Sequence, residues 1–495
     1  MKTIRICLSL LMTLSVMSLT AQFSFDRHCR AAYTDIQSLR FEMAEEQIRV
    51  GRKAFPENVM PVVLNNYIDF LKLFISEDRQ LFETLKANKD HRIDIISAAN
   101  SNSPYKKWAL ATVNLQWAFA RIKFGEYYTA VFEIRRAFLL LEENEALFPG
   151  FVPNKIGLGL LYSLVGSIPS NYQWVVHLTS MHGTVDEGAS LLYQARALCE
   201  QSDEFRVFLP ESLFFLTFVE MNLKPDKSGA KKLLGHFSNK DSTNLLLVFA
   251  KSDLLMHTGQ NDQAMKLLQN RPKGKAYYPF YYLDYLLAET QLRKLDPRAA
   301  ENYSLFLAKF SGRNYRLDAR RKLAWLGLIS GDEAAYFRQM QLLDVSADPQ
   351  IDADKQAIRE RARNQAPDLE LLKARLLFDG GYMREALEVL TARPGLKLSR
   401  VSDSVEYHYR LGRIYHETAE FAKAATQYEN AIRLGVGRPE YFAANAALKL
   451  GEIAEIQGNT DEAMFNYRRC LAMNPDEYRN SMHAKAKAGI NRLEE

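Results

Sequence analysis

Cysteine is scarce in this chain of 495 residues: there are four, none in a CxxC spacing. A disulfide framework or a cysteine-built zinc site is therefore not expected. Cys7 lies in an N-terminal apolar stretch, and the odd three that remain, Cys29, Cys199 and Cys470, read as small buried residues. With 24 glycines and 16 prolines the composition is neither collagenous nor disordered. Neither sign of charge dominates, since 64 Lys and Arg face 59 Asp and Glu. A formal +5 is far from the concentrated basic field that releases counterions from nucleic acid, so no nucleic-acid partner is expected. GxSxG, GxxxxGK[ST], GxGxxG and HExxH are all missing, and His177 and His182 are spaced wrongly to share a helical face for a metal. The expectation is no enzyme, no cofactor and no metal.

What is there begins with an address. Lys2 and Arg5 precede an apolar stretch from Ile6 to Leu19, and Thr20-Ala21 before Gln22 offers a cleavage point, so residues 1–21 read as a signal peptide. No cysteine stands at the cut, which argues against a lipid anchor. The expected product is periplasmic or secreted and has no transmembrane span after the leader is removed.

A repeat fills most of the remainder. In Tyr409 to Pro439 the residues Leu411-Gly412, Tyr415, Ala424, Tyr428 and Ala431 stand at fixed offsets. Leu450-Gly451, Ala454, Ala463, Tyr467, Cys470 and Pro475 repeat them. Each copy holds two apolar-periodic segments, the second with small, aromatic and small residues at i, i+4 and i+7, one helical face. Gly412 and Ala424 lack bulk where the paired helices cross, Tyr428 fills the space beside them, and a proline ends the unit. The pattern resembles the tetratricopeptide repeat family, with His408 and Ala447 in place of a tryptophan common early in the first helix. The resemblance implies stacked helix pairs with a concave groove that holds a protein or peptide. Small residues continue upstream at Ala386, Ala335, Ala300, Ala264 and Ala230, then at Ala195, Ala130 and Ala44. Gly458, Gly381, Gly259 and Gly125 stand five residues before members of this ladder, where paired helices must turn and a positive φ is often required. No alternating strand pattern competes. The expected fold is all-α, a right-handed α-solenoid of tetratricopeptide-type helix pairs.

One segment departs from the repeat. From Leu147 to Val185 Lys155 is the single charged residue, among glycines, prolines and aromatics. Its longest apolar run, Ile156 to Ile168, is too short to span a bilayer and is interrupted by Gly157, Gly159 and Gly166. It predicts a buried helix with smooth faces for close packing, a break at Pro169 and a second helix near Tyr172. Its order of glycine, proline and aromatics is similar to a central motif of a eukaryotic family of tetratricopeptide proteins that includes a fungal inclusion-body clearance protein, which implies a shared helical arrangement. The alternative to a packing element is an apolar pocket bearing Tyr162, Trp174, His177 and His182.

These readings divide the chain into a leader (1–21), an N-terminal helical region (22–146), the Gly/Pro/aromatic-rich insertion (147–185), degenerate repeats (186–365) and a C-terminal array (366–495). The groove is placed on first-helix positions of the last two repeats that the core does not require: Tyr409, Arg413, His416, Asn445, Lys449 and Glu452. The aromatic run Tyr277, Tyr278, Phe280, Tyr281, Tyr282 and Tyr285 offers either packing, with Tyr278, Tyr281, Tyr282 and Tyr285 on one helical face, or rings for a bound glycan. Two basic clusters, Arg316, Arg320, Arg321 and Lys322 and then Arg359, Arg361 and Arg363, read as solvated helix faces because acids interleave them. The function these features imply is an exported scaffold that binds other proteins or peptides. The alternative is a glycan- or small-ligand-binding repeat protein of the cell envelope.

Overall fold

The computed structural model of the chain describes residues 23–168, 180–224, 227–392, 398 and 400–494. Among the described residues every regular element is a helix, and the chain forms two compact units. The first runs up to Val219 and includes Lys273–Tyr278. It contains α1 (Arg27–Gln37), α2 (Phe41–Ala54), α3 (Met60–Ser76), α4 (Arg79–Leu85), α5 (Asn88–Ala98), α6 (Pro104–Phe124), α7 (Tyr127–Leu147), α8 (Val152–Gly166), α9 (Val185–Gln201) and most of α10 (Leu209–Asn222).

The second unit holds α11 (Lys227–Leu233), α12 (Leu245–His257), α13 (Asn261–Gln269), α14 (Tyr282–Arg293), α15 (Ala299–Lys309), α16 (Arg316–Ile329), α17 (Glu333–Gln341) and α18 (Asp352–Arg363). It continues through α19 (Leu369–Asp379), α20 (Met383–Thr391), α21 (Val401–Glu417), α22 (Phe421–Gly435), α23 (Phe442–Ile456), α24 (Thr460–Ala472) and α25 (Arg479–Glu494).

Helices pair because one turn geometry recurs. Eight turns among the described residues place a residue at positive φ just past the first helix: Leu39, Gly125, Gly259, Leu295, Gly331, Gly381, Ala419 and Gly458. In each, the amide of that residue donates to the carbonyl three residues back and the next amide to the carbonyl five back, as Gly458 does to Glu455 and Asn459 to Ala454. That is the Schellman closure, which satisfies the helix's orphan carbonyls and sends the chain back along the helix it has left. The pairs so made are α1/α2 and α6/α7 in the first unit, then α12/α13, α14/α15, α16/α17, α19/α20, α21/α22 and α23/α24 in the second. The glycines expected at 125, 259, 381 and 458 all adopt positive φ.

The ladder of small residues follows from these turns. Five residues after the turn, Ala44, Ala130, Ala264, Ala386, Ala424 and Ala463 are sealed from solvent. Two members slip by one. At Gly331 the fifth residue is Tyr336, which takes the core position, while Ala335 is only half-buried and rests against Gly327. At Leu295 the turn contains Pro297, and α15 opens with the tighter bonds from Ala299 to Asp296 and from Ala300 to Pro297. The tighter start advances the helix by one residue, so Ala299, Tyr303 and Phe306 fill the core in place of Ala300.

Close approach of the paired helices depends on missing side chains. A Cβ on Gly412 would sit 2.6 Å from the ring of Tyr428, and one on Gly451 2.5 Å from the ring of Tyr467. Tyr467 is closed from its other side by Gly489 of α25. In the first unit α8 behaves as a smooth-faced helix: a Cβ on Gly157 would meet Leu141 at 2.6 Å, and one on Gly159 would meet Leu192 at 2.7 Å. The predicted break at Pro169 and helix near Tyr172 lie outside the described residues, as does the leader.

In the second unit the turns of the first and fourth pairs meet. A Cβ on Gly381 would overlap the carbonyl of Gly259, and the Tyr382 hydroxyl accepts from Asn261 at 3.0 Å while donating to Asp262 at 2.8 Å.

Candidate functional site

The recurring turn gives every pair of the second unit a common register. Six residues before the left-handed residue stand Asp253, Glu289, Trp325, Arg375, Arg413 and Glu452, one on each first helix. The same position thus carries two acids, a tryptophan, two arginines and an acid in chain order. Equivalent places on stacked first helices form a stripe, in which Glu289 and Trp325 are buried and Asp253, Arg375, Arg413 and Glu452 are half-buried.

Neighbours along the stripe touch. The guanidinium of Arg375 lies 5.2 Å from the centre of the Trp325 ring, joined by Arg321 at 4.8 Å and the Lys322 ammonium at 5.0 Å. The indole of Trp325 donates to Glu360 at 2.7 Å. Arg413 stacks on Phe378 of the preceding pair at 4.4 Å. Lys322 is held by Glu289 at 2.9 Å and Arg321 by Asp318, so the middle of the stripe is internally neutralised.

Of the six expected groove residues, Tyr409 is misplaced. It is 1% exposed and packs on Tyr428, Tyr441 and Phe442, so it belongs to the core that its position was thought to avoid. Its hydroxyl accepts from Arg413 at 3.1 Å. The other five are half-buried on α21 and α23. Arg413 has no carboxylate partner among the described residues, and the Oδ1 of Asn445 is buried without a hydrogen-bond partner. Lys449 pairs with Glu452 at 2.6 Å. Burial, and then the Lys449 charge, lower the pKa of His416, which keeps the ring neutral near pH 7. The face formed by Arg413, Asn445 and Lys449 therefore carries a guanidinium without a carboxylate partner and one unmet acceptor, the Asn445 Oδ1.

Of the four residues of the alternative pocket, Tyr162 and His182 come together in the first unit. Tyr162 donates to Glu142, and His182 meets Phe138 edge-on at 5.3 Å and Tyr162 at a tilt at 5.5 Å, with its Nε2 3.8 Å from Glu142. Trp174 and His177 lie outside the described residues.

The aromatic run is divided. Tyr278 belongs to the first unit, where its amide donates to Leu39 and its ring meets Phe41 at 5.0 Å. Because α14 begins only at Tyr282, the helical face expected from Tyr278 to Tyr285 does not form. Tyr285 is buried and donates to Asp318 at 2.5 Å, while Tyr282 remains half-open beside Tyr315 at 4.6 Å. The basic clusters are likewise engaged, Arg316 and Arg361 with backbone carbonyls and Arg363 with Glu477 at 2.8 Å.

Sequence reasoning missed Asp253, Trp325 and Arg375. The signal was present, since Arg375 and Arg413 are separated by the same step as Ala386 and Ala424. Reading it requires knowing which residue turns.

With the turns and the small–aromatic packing in view, the sequence comparison is direct. Two segments stand out, residues 405–434 and 444–477. They match the family model for the tetratricopeptide repeat and coincide with α21/α22 and α23/α24. No curated protein matches the chain. Among solved structures, the human IFIT1 dimer with PPP-AAAA is 13% identical over 92% of this chain and 96% of its own, at a TM-score of 0.26. Yeast Tom70 is 14% identical over 94% of this chain and 96% of its own, at 0.24. At those scores neither says what this chain binds.

Proposed function

We propose that the protein is a non-catalytic interaction scaffold whose second unit holds a segment of another protein against the first helices of its last three pairs. The observation that carries this is Arg413, half-buried on the Phe378 ring with only the Tyr409 hydroxyl as hydrogen-bond partner and no carboxylate among the described residues. A guanidinium kept in a partly dry groove, with Asp379 acting on it only from a distance and no carboxylate bonded to it, is suited to a carbonyl or carboxylate arriving from outside. Asn445, with its unmet acceptor, and Lys449, paired with Glu452, extend that polar face along α23. Export through residues 1–21 is part of the proposal and rests on Lys2, Arg5 and the apolar stretch that follows.

A photo-crosslinking amino acid at Asn445 tests the surface, with one at Phe465, exposed on α24, as the control. A crosslinked partner from position 445 that is absent from position 465 and lost with Arg413→Glu is the expected result. Equal labelling from both positions, or labelling indifferent to Arg413, would remove the groove. N-terminal sequencing of the product after expression tests the leader, with Gln22 the expected first residue.

A further inference from the structure

The acidic end of the stripe has a feature that the packing does not explain. Asp253 lies one turn beyond Phe249 on α12, and both are half-buried. Phe249 faces the ring of Tyr282 at 5.9 Å, and Tyr282 faces Tyr315 at 4.6 Å. The charge of Asp253 acts on both phenols and helps to raise their pKa values, after burial. Yet its carboxylate has no hydrogen bond and no ion pair among the described residues. Arg293 is the cation whose field reaches it, but that guanidinium donates to the carbonyls of Met256 at 3.3 Å and Asp379 at 3.2 Å. Burial outweighs the field of Arg293 and pushes the Asp253 pKa up to about 6, as expected of a half-buried carboxylate with no direct partner. A half-buried carboxylate one turn from one ring and acting on two more, all of them partly exposed, is half of a cation site.

We propose that Asp253, with the rings of Phe249, Tyr282 and Tyr315, receives one organic cation, the side chain of a lysine or arginine in the segment that the second unit holds. The proposal rests on the reading of this unit as a segment-binding surface and adds a chemical requirement to the ligand. The carboxylate supplies the counter-charge, and the rings cover the aliphatic stem and face the head group. The stripe then orders its ligand: the basic side chain lies at α12 and α14, and the acceptor groups lie at α21 and α23. Asp253 is the titrating group of this site, faced by Arg293, Tyr282 and Tyr315, with Glu289 next along the stripe.

Isothermal titration calorimetry on the full chain provides the test, with three probes: a capped alanine pentapeptide bearing a central lysine, the same peptide with norleucine, and free spermidine. At pH 7.5 the lysine peptide is expected to bind at least tenfold more tightly than the norleucine peptide. Asp253→Asn, nearly the same in shape, should erase that difference. The lysine preference of the unaltered chain should also weaken as the pH falls below about 6 and show no such trend in Asp253→Asn. Equal binding of the two peptides, or a preference that survives in Asp253→Asn, overturns the proposal. So does binding of spermidine without the lysine peptide, which would assign the site to a free amine. Circular dichroism of the variant separates loss of the site from loss of the fold. If the calorimetry fails while crosslinking at Asn445 still depends on Arg413, only the cation site is lost and the scaffold reading stands.

Discussion

Gly451 and Tyr467 are mutually exclusive with any larger pair: a Cβ on the glycine would lie 2.5 Å from Cε1 of the ring. The ring cannot retreat, because Gly489 of α25 closes its other face and Tyr467 is 1% exposed. Alanine at 451 gains about 1 kcal/mol of helix propensity. It must also displace a clamped aromatic ring, which costs about 1–3 kcal/mol or more in cores of this density. Gly451→Ala is therefore expected to destabilise the second unit, and Gly451→Ala combined with Tyr467→Phe should not recover it, since the clash is with the ring. Urea titration followed by circular dichroism measures both.

Ala419 is an exposed alanine at φ 59° in a turn where five of the eight pairs use glycine. A left-handed conformation costs a residue with a Cβ about 1 kcal/mol relative to glycine. Ala419→Gly should raise the melting temperature of the second unit, and Gly458→Ala, the same turn one repeat later, should lower it. Opposite signs at equivalent positions are the expected result of a thermal melt, and equal signs would mean that the turn is not strained.

These two sites show what could be read from the sequence. The paired helices, the glycine turns at 125, 259, 381 and 458, and the glycine–tyrosine contacts were legible because each is set within one repeat. The turns at Leu39, Leu295 and Ala419 were not, since nothing about those residues announces positive φ. Tyr409 was misjudged because its place on the first helix is polar in type but closed over by Tyr441 and Phe442 of the next pair. Asp253, Trp325 and Arg375 emerge only when the register of every pair is known. Their surroundings come from helices tens of residues away.

Asp354 offers a case of remote capping with a pH signature. Tyr315, at the start of α16, has φ 65° and caps nothing with its own side chain. Asp354 of α18 accepts instead from the amides of Tyr315 and Asp318, each at 2.8 Å. Burial outweighs those bonds and lifts its pKa from 3.8 to about 6. A raised carboxyl pKa means that the folded state favours the protonated form. The contribution is fully present below 3.8 and is lost as the pH rises through about 6. Comparing unfolding free energies at pH 4.5 and 7.5, the decline with rising pH should be smaller in Asp354→Asn than in the unaltered chain. Asp354→Ala, which strands both amides, should lose about 1–2 kcal/mol at either pH.

Cys29, Cys199 and Cys470 are buried, unpaired thiols, each pushed up to about 12 by burial first. A thiol that is neither ionised nor accessible does not attack a disulfide reagent. In a chain beginning at Gln22, Ellman's reagent at pH 7.5 should find almost no reactive thiol in the folded protein and all three in urea. Rapid labelling without denaturant would show that the helices around one of them open readily.

The contact of Gly381 with Gly259 changes how the second unit should come apart. A row of repeats that touch only their neighbours behaves as a chain of dominoes and frays from either end. Here the pair α19/α20 leans back on α12/α13 across two intervening pairs, and Asn261, Asp262 and Tyr382 fasten the junction. The intervening pairs sit inside a closed ring of contacts, so a fluctuation there must open two interfaces at once. Amide exchange should reflect this, with α14 to α17 protected as one block and the helices beyond α21 released earlier and one pair at a time.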